Sequence, residues 1–401
     1  MPLGNLRRAL IALTVLPGIW LAGCSSTEPF EEPAPVPDVV GDAQLKPVWR
    51  MSVGDGHDGQ LLHIQPALLG DVLYAASADG ELVSVDPDTG DLNWERDLDR
   101  EIMAGVGGDR KRLYLVSSDA QLLSFAREDG EPGWEVSLPN EVLAPPQSNG
   151  SLVVAQTIDG KVLAFDVETG DKRWQYEAAV PVLTLRGTAT PLVGSEMTLV
   201  SFANGQLFGL SSESGQPLWQ YAVGEPKGRT ELERLVDVTA QPIVIETVAL
   251  VVGYQGNLAA VDIRNGQEIW SRRMSSLRSP AIAYSNILVT ESNGTITAID
   301  GASRQVAWSQ EQLAWRQPTA PLVLEDHLLV GDFEGYLHAL SLEDGALAGQ
   351  LKLDSEGLRV PMIRWKDRAL VYTNGGRLAA IELIVRGSAP TAAPPRERPS
   401  R

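Results

Sequence analysis

The chain has one cysteine in 401 residues, Cys24, so no disulfide can form within it and no cysteine-built zinc module is available. Its four histidines, His57, His63, His327 and His338, are too scattered to replace one. Basic residues are also short: 33 Lys and Arg stand against 52 Asp and Glu, for a formal net charge of −19. That balance excludes a nucleic-acid binder, whose phosphate contacts need clustered Lys and Arg. No apolar run is long enough to read as a membrane-spanning helix; Ala9 to Trp20 is about twelve residues, where roughly 20 are needed, and Pro17-Gly18 interrupts it. There is no P-loop, no H-E-x-x-H and no G-x-S-x-G, so no catalytic residue is nominated. His327 and His338 read as ordinary strand residues, and no metal site is assigned. What remains is 43% apolar and 21% charged, enough for a large core and unlike a disordered chain.

The first segment reads as an address. Arg7 and Arg8 precede the short apolar run, and Leu21-Ala22-Gly23-Cys24 follows it. This is a secretory signal over residues 1–23, and it resembles the bacterial lipoprotein box, in which the cysteine becomes the lipidated first residue. Ser25 and Ser26 after Cys24, rather than Asp, imply outer-membrane retention in that class of signals. Residues 24–45 are acidic and Pro-rich and read as a semi-rigid tether. Residues 386–401 read as a disordered Pro-rich tail.

Between them lies one repeated unit. DGELVSVDPDTGDLNW (Asp79 to Trp94) returns as DAQLLSFAREDGEPGW, DGKVLAFDVETGDKRW, NGQLFGLSSESGQPLW, QGNLAAVDIRNGQEIW and NGTITAIDGASRQVAW. A seventh copy, Glu334 to Gly349, keeps the turn and loses the tryptophan. The tryptophans are spaced 40, 40, 45, 51 and 38 residues apart from Trp94 onward. Each copy has a DG- or NG-type turn, an alternating apolar strand, a second turn containing a glycine in most copies, and a short strand with the tryptophan. Two more apolar strands precede the first turn. Four strands recurring every 40–45 residues are the blades of a β-propeller. An eighth unit, from Gly357 to Leu383, supplies only three strands. Trp49 stands 45 residues before Trp94, so the N-terminal strand is expected to complete the last blade and remove the open sheet edges. The expected fold is all-β, an eight-bladed propeller over residues 46–385.

Two of the inter-blade intervals are long. After Trp174 the chain reads QYEAAVPVLTLRGTATP, and after Trp219 QYAVGEPKGRTELERLVDVTAQP. Both leave an outer strand and enter the next blade's inner strand, so both lie on one face of the disc. Their leucines can form a partner surface rimmed by Arg and Asp, or tuck beneath their own loops as a satellite core. The residues alone do not choose.

The repeat pattern A-x-D-x-x-x-G-x-x-x-W resembles the tryptophan-docking repeats of quinoprotein dehydrogenases. Joined to the lipoprotein signal and eight blades, the sequence from residue 21 to 385 resembles the outer-membrane protein assembly factor BamB family. In that family an L-x-L-R-G segment and an R-L-x-D-V segment bind the POTRA region of BamA, the barrel-inserting subunit. The resemblance therefore implies a partner surface made by Leu183, Leu185 and Arg186 with Arg234, Leu235 and Asp237. Thr239 stands where the family pattern has a second acid. A non-catalytic scaffold on the periplasmic face of the outer membrane is implied, with no cofactor. Other lipoproteins of the assembly complex and unfolded outer-membrane proteins are further partners the resemblance admits. The alternatives are a quinone-dependent dehydrogenase and a sugar- or peptidoglycan-binding propeller. The first is disfavoured by the lack of a cysteine pair and of insertions; for the second, Trp315 and Trp365, outside the repeat position, would be the stacking residues. Asp86 to Asp91 resembles the start of a calcium loop but has Asp97 where the twelfth-position Glu belongs, and reads as a turn.

Overall fold

The computed structural model describes residues 31–386. The signal, Cys24 and the tail beyond Arg386 lie outside the described residues. Residues 33–386 form one compact unit. Its strands form eight antiparallel four-stranded sheets, with no helix among the described residues. Blade one runs Ala67–Leu69, Val72–Ala76, Glu81–Val85 and Leu92–Asp97, and the same A-to-D order recurs to blade seven, Leu322–Leu324, His327–Gly331, Tyr336–Ser341 and Leu347–Lys352. A strands of neighbouring blades touch one another, so they form the inner ring around a central shaft. B and C strands are buried almost throughout, because a neighbouring blade covers each face; they therefore read as continuous apolar runs. D strands alternate between exposed and half-buried, as an outer strand must.

The tryptophans join blade to blade. Trp49, Trp134, Trp174, Trp219 and Trp308 each donate an indole N–H to a carbonyl of the next blade, as Trp134 does to Val167 at 2.9 Å and Trp174 to Ser212 at 2.7 Å. The indole lies on the glycine of that blade's C–D turn. Gly90 shows why glycine is needed there: its φ is +78°, and a Cβ would sit 2.6 Å from the Trp49 ring. Blade six breaks the pattern. Arg304 takes the turn position at φ 63°, and its guanidinium lies over the Trp270 ring at 4.7 Å.

Ala43–Ser52 closes the ring as the D strand of blade eight, paired antiparallel with Arg377–Val385. The strand begins at Ala43, earlier than the expected Lys46, and bulges between Pro47 and Trp49. The closure also accounts for the tryptophan missing from repeat seven. Blade eight is closed by a separate strand and has no C–D turn on which such a ring could lie. The N-terminal segment fills the space instead: a Cβ on Gly349 would meet the Ala43 carbonyl at 2.4 Å, and one on Gly41 the Ala348 carbonyl at 1.9 Å.

Part of the segment expected as a tether is docked. The Ala34 N–H donates to Ala314 at 2.9 Å, and the Ala34 carbonyl accepts from Arg316 Nη1 at 2.8 Å. Arg316 is buried and pairs with Asp332 at 2.8 Å and with Glu334. Asp332 also bonds His338 Nε2 at 3.0 Å and accepts the N–H groups of Glu334 and Tyr336. His327 and His338 lie on the B and C strands of blade seven, as expected. The Asp86 segment is a turn, in which the Asp86 carboxylate caps the N–H groups of Asp88 and Thr89.

Candidate functional site

The D–A connections and B–C turns share one rim of the disc. The two long connections, residues 178–191 and 223–242, leave blades three and four there, side by side. Val182, Leu183, Leu185 and Leu232 are all exposed, Leu232 to 70%. Leu185 and Leu232, with Tyr254 and the edge of Leu235, border an open cleft of about 930 Å³, whose polar wall includes Lys227, Arg229 and Glu233. Such a concentration of exposed apolar side chains is unusual on a loop rim.

The loops are held by named bonds. The Leu185 N–H donates to Asp237 Oδ2 at 3.1 Å, tying the first loop to the second. Asp237 is itself fixed by a backbone bridge to Tyr254 in the B–C turn of blade five, at 2.7 Å. Gly187 lies against Thr239; a Cβ there would approach the Thr239 methyl to 2.5 Å, so only glycine allows the loops to cross this closely. The Glu233 carboxylate accepts the N–H groups of Arg229 and Thr230, which hold its pKa below the usual range and fix the tip of the second loop.

Residues 42–104, 78–310 and 286–383 match the family described as "Outer membrane protein assembly factor BamB". A protein of that name from Marinobacter adhaerens is 56% identical over 364 residues, 90% of this chain and 93% of the relative. The chain belongs to the BamB family. A second relative of that name, from Pseudomonas aeruginosa, is 44% identical over 373 residues, 93% of this chain and 97% of its own length. The crystal structure of BamB from Moraxella catarrhalis has the same fold, with a TM-score of 0.78 at 23% identity, covering 84% of this chain and 99% of that one.

The BamB-type segments found in the sequence do meet on one rim, but their residues divide into two layers. Leu183, Leu185, Arg186 and Arg234 are at the surface. Leu235 and Asp237 are beneath it, Asp237 only 1% exposed. Asp237 does not pair with Arg186. Arg186 Nη2 instead reaches Glu141 at 2.7 Å, on the connection between blades two and three. Arg234 lies 3.7 Å from Glu231. Glu141 carries no local signal in the sequence, since it stands 45 residues from its partner.

Burial pushes the Asp237 carboxyl up to about 6, against the opposing pull of the Leu185 and Val238 N–H groups; Oδ1 has no partner. A carboxyl whose folded pKa is raised contributes most below its unfolded value near 3.8, and that contribution is lost as pH rises through the folded value. Asp237→Asn keeps an acceptor for Leu185 and removes the titration. Its stability relative to the parent should therefore rise between pH 4 and 7 by about 2–3 kcal/mol, read from denaturant midpoints at both pH values. A parallel pair of pH profiles would show that Asp237 is not held in a raised state.

Proposed function

We propose that the chain is a non-catalytic scaffold of outer-membrane protein assembly that binds the POTRA region of BamA through the two-loop rim. The exposed Leu183, Leu185 and Leu232 beside Arg186 and Arg234 carry this reading: an apolar centre with a cationic edge, on rigid neighbouring blades, is the composition of a protein contact. Leu235 and Asp237 position that surface from below. Truncating a central leucine removes apolar burial at about 25 cal/mol per Å², and interface anchors often cost 2 kcal/mol or more. In a titration with the soluble POTRA region, Leu185→Ala and Arg186→Ala should each weaken binding by roughly tenfold or more while the thermal melt stays unchanged. Glu141→Ala separates two roles for Arg186. If the guanidinium touches the partner, freeing it from Glu141 leaves binding intact; if the Glu141 pair only shapes the loop, binding falls. Wild-type affinity in both Leu185→Ala and Arg186→Ala would overturn the assignment.

Cys24 is read as the acylated anchor that holds the scaffold to the periplasmic face of the outer membrane. Stable anchoring needs more than one acyl chain, and lipoprotein modification provides it. Cys24→Ala should neither label with palmitate nor sediment with outer membranes. Retention of both properties would rule the anchor out.

A further inference from the structure

A basic cluster gathers at the mouth of the central shaft, on the same rim as the two long loops. Arg278 precedes the A strand of blade six, Arg359 that of blade eight, and His57 and His63 that of blade one. Blade seven separates six from eight, so Arg278 and Arg359 approach the shaft mouth from different blades. Arg278 and Arg359 both act electrostatically on His63, and Arg359 acts on Arg278 and on His57. Arg359 donates to the backbone carbonyls of Gln60 at 3.1 Å and Leu62 at 3.3 Å, which aims it along the shaft mouth. The Arg278 guanidinium has no hydrogen bond or ion pair among the described residues. It is ringed by protein yet partly reached by solvent, as a side chain lining a shaft would be. Asp55, Asp58 and Glu356 line the same pocket as Arg359, but none forms an ion pair with either guanidinium.

The two guanidinium groups repel one another, and neither is held in an ion pair among the described residues of a chain with a formal charge of −19. Burial and the two arginines hold the His63 imidazole down to about 3, so the histidine adds no charge of its own in this state and is free to accept or donate one hydrogen bond. We propose that this cluster is a binding site for a compact oxyanion, a phosphate or a small polycarboxylate, held on the axis by Arg278 and Arg359 with His63 beside it. Guanidinium forks match such oxygens in pairs, and charge-assisted bonds of this kind are the strong ones.

The test is calorimetric titration of the full mature chain with inorganic phosphate and, separately, with citrate, alongside NMR titration of the His63 imidazole. One saturable site is expected for at least one anion, weakened roughly tenfold or more by Arg278→Gln and by Arg359→Gln. The tighter of the two anions assigns the ligand to phosphate or carboxylate chemistry. A bound anion should also raise the His63 pKa in the unaltered protein, a readout that does not depend on either variant folding. The absence of saturable binding by both anions, binding that survives in the Arg278→Gln/Arg359→Gln double variant, or a His63 pKa unmoved by saturating anion would overturn the proposal.

Discussion

A chain that begins after Ser52 should fail to give a folded monomer. It would lose the outer strand of blade eight and expose the backbone of Arg377–Val385 as an unpaired edge, the kind of edge that templates aggregation. It would also lose Trp49, which bridges to blade one through the Pro87 carbonyl at 3.0 Å and covers Gly90. The milder probe is Trp49→Ala. The indole is half-buried, so the expected loss is roughly 2–4 kcal/mol, below the cost for a fully enclosed tryptophan. Size-exclusion chromatography of the truncated chain and a denaturant melt of Trp49→Ala measure the two effects. A truncated chain that elutes as a monomer and melts like the parent would mean that Ala43–Ser52 does not close the ring.

Asp332→Ala should be the most damaging single substitution in blade seven. Asp332 is fully buried and compensates Arg316, which is itself 2% exposed. It also serves His338 and two backbone N–H groups. Removing it leaves a buried guanidinium with Glu334 as its remaining anionic partner, at a cost of about 3–5 kcal/mol. Glu334 is 41% exposed at its side chain, so Glu334→Gln should cost no more than about 1 kcal/mol. Because the groups form one network, Arg316→Met combined with Asp332→Ala should destabilise by less than the sum of the single changes. Chemical denaturation of the parent, the three single variants and the double variant checks this, and an Asp332→Ala loss under about 1 kcal/mol would show that the network is not what holds that corner.

The propeller was legible in the sequence because its decisive contacts repeat. Each tryptophan must find a glycine turn one blade on, and that need is written at nearly constant spacing. The exceptions were visible only as gaps. The Gly349 position showed that a tryptophan was missing, and only the ring geometry gives the reason, since blade eight offers no turn for it to cover. Arg304 in place of a glycine is compensated by its guanidinium over Trp270, which spacing cannot reveal. In the candidate site, the loops announced themselves by length and Leu183 and Leu185 by being apolar outside any strand period. The depth of Leu235 and Asp237 was hidden, because burial in an irregular loop follows tertiary packing and has no period. Arg278 and Arg359 were hidden for a related reason: each stands unremarkably before a proline in its own repeat, and closure of the ring alone brings them together.

The pairing of Ala43 with Val385 and of Ser52 with Arg377 also sets an order in time. Synthesis proceeds from the N-terminus, so the strand that completes the last blade is made first and its partner nearly last. Seven blades can form from hairpins of near neighbours, a low-entropy route. The eighth joins residues from opposite ends of the propeller and carries the loop-closure entropy of almost the whole chain. Until then the open ring presents free strands at both ends. Once the seam is zipped, the two ends of the propeller restrain each other, and opening must either part that one antiparallel pair or tear a blade from the middle of the ring.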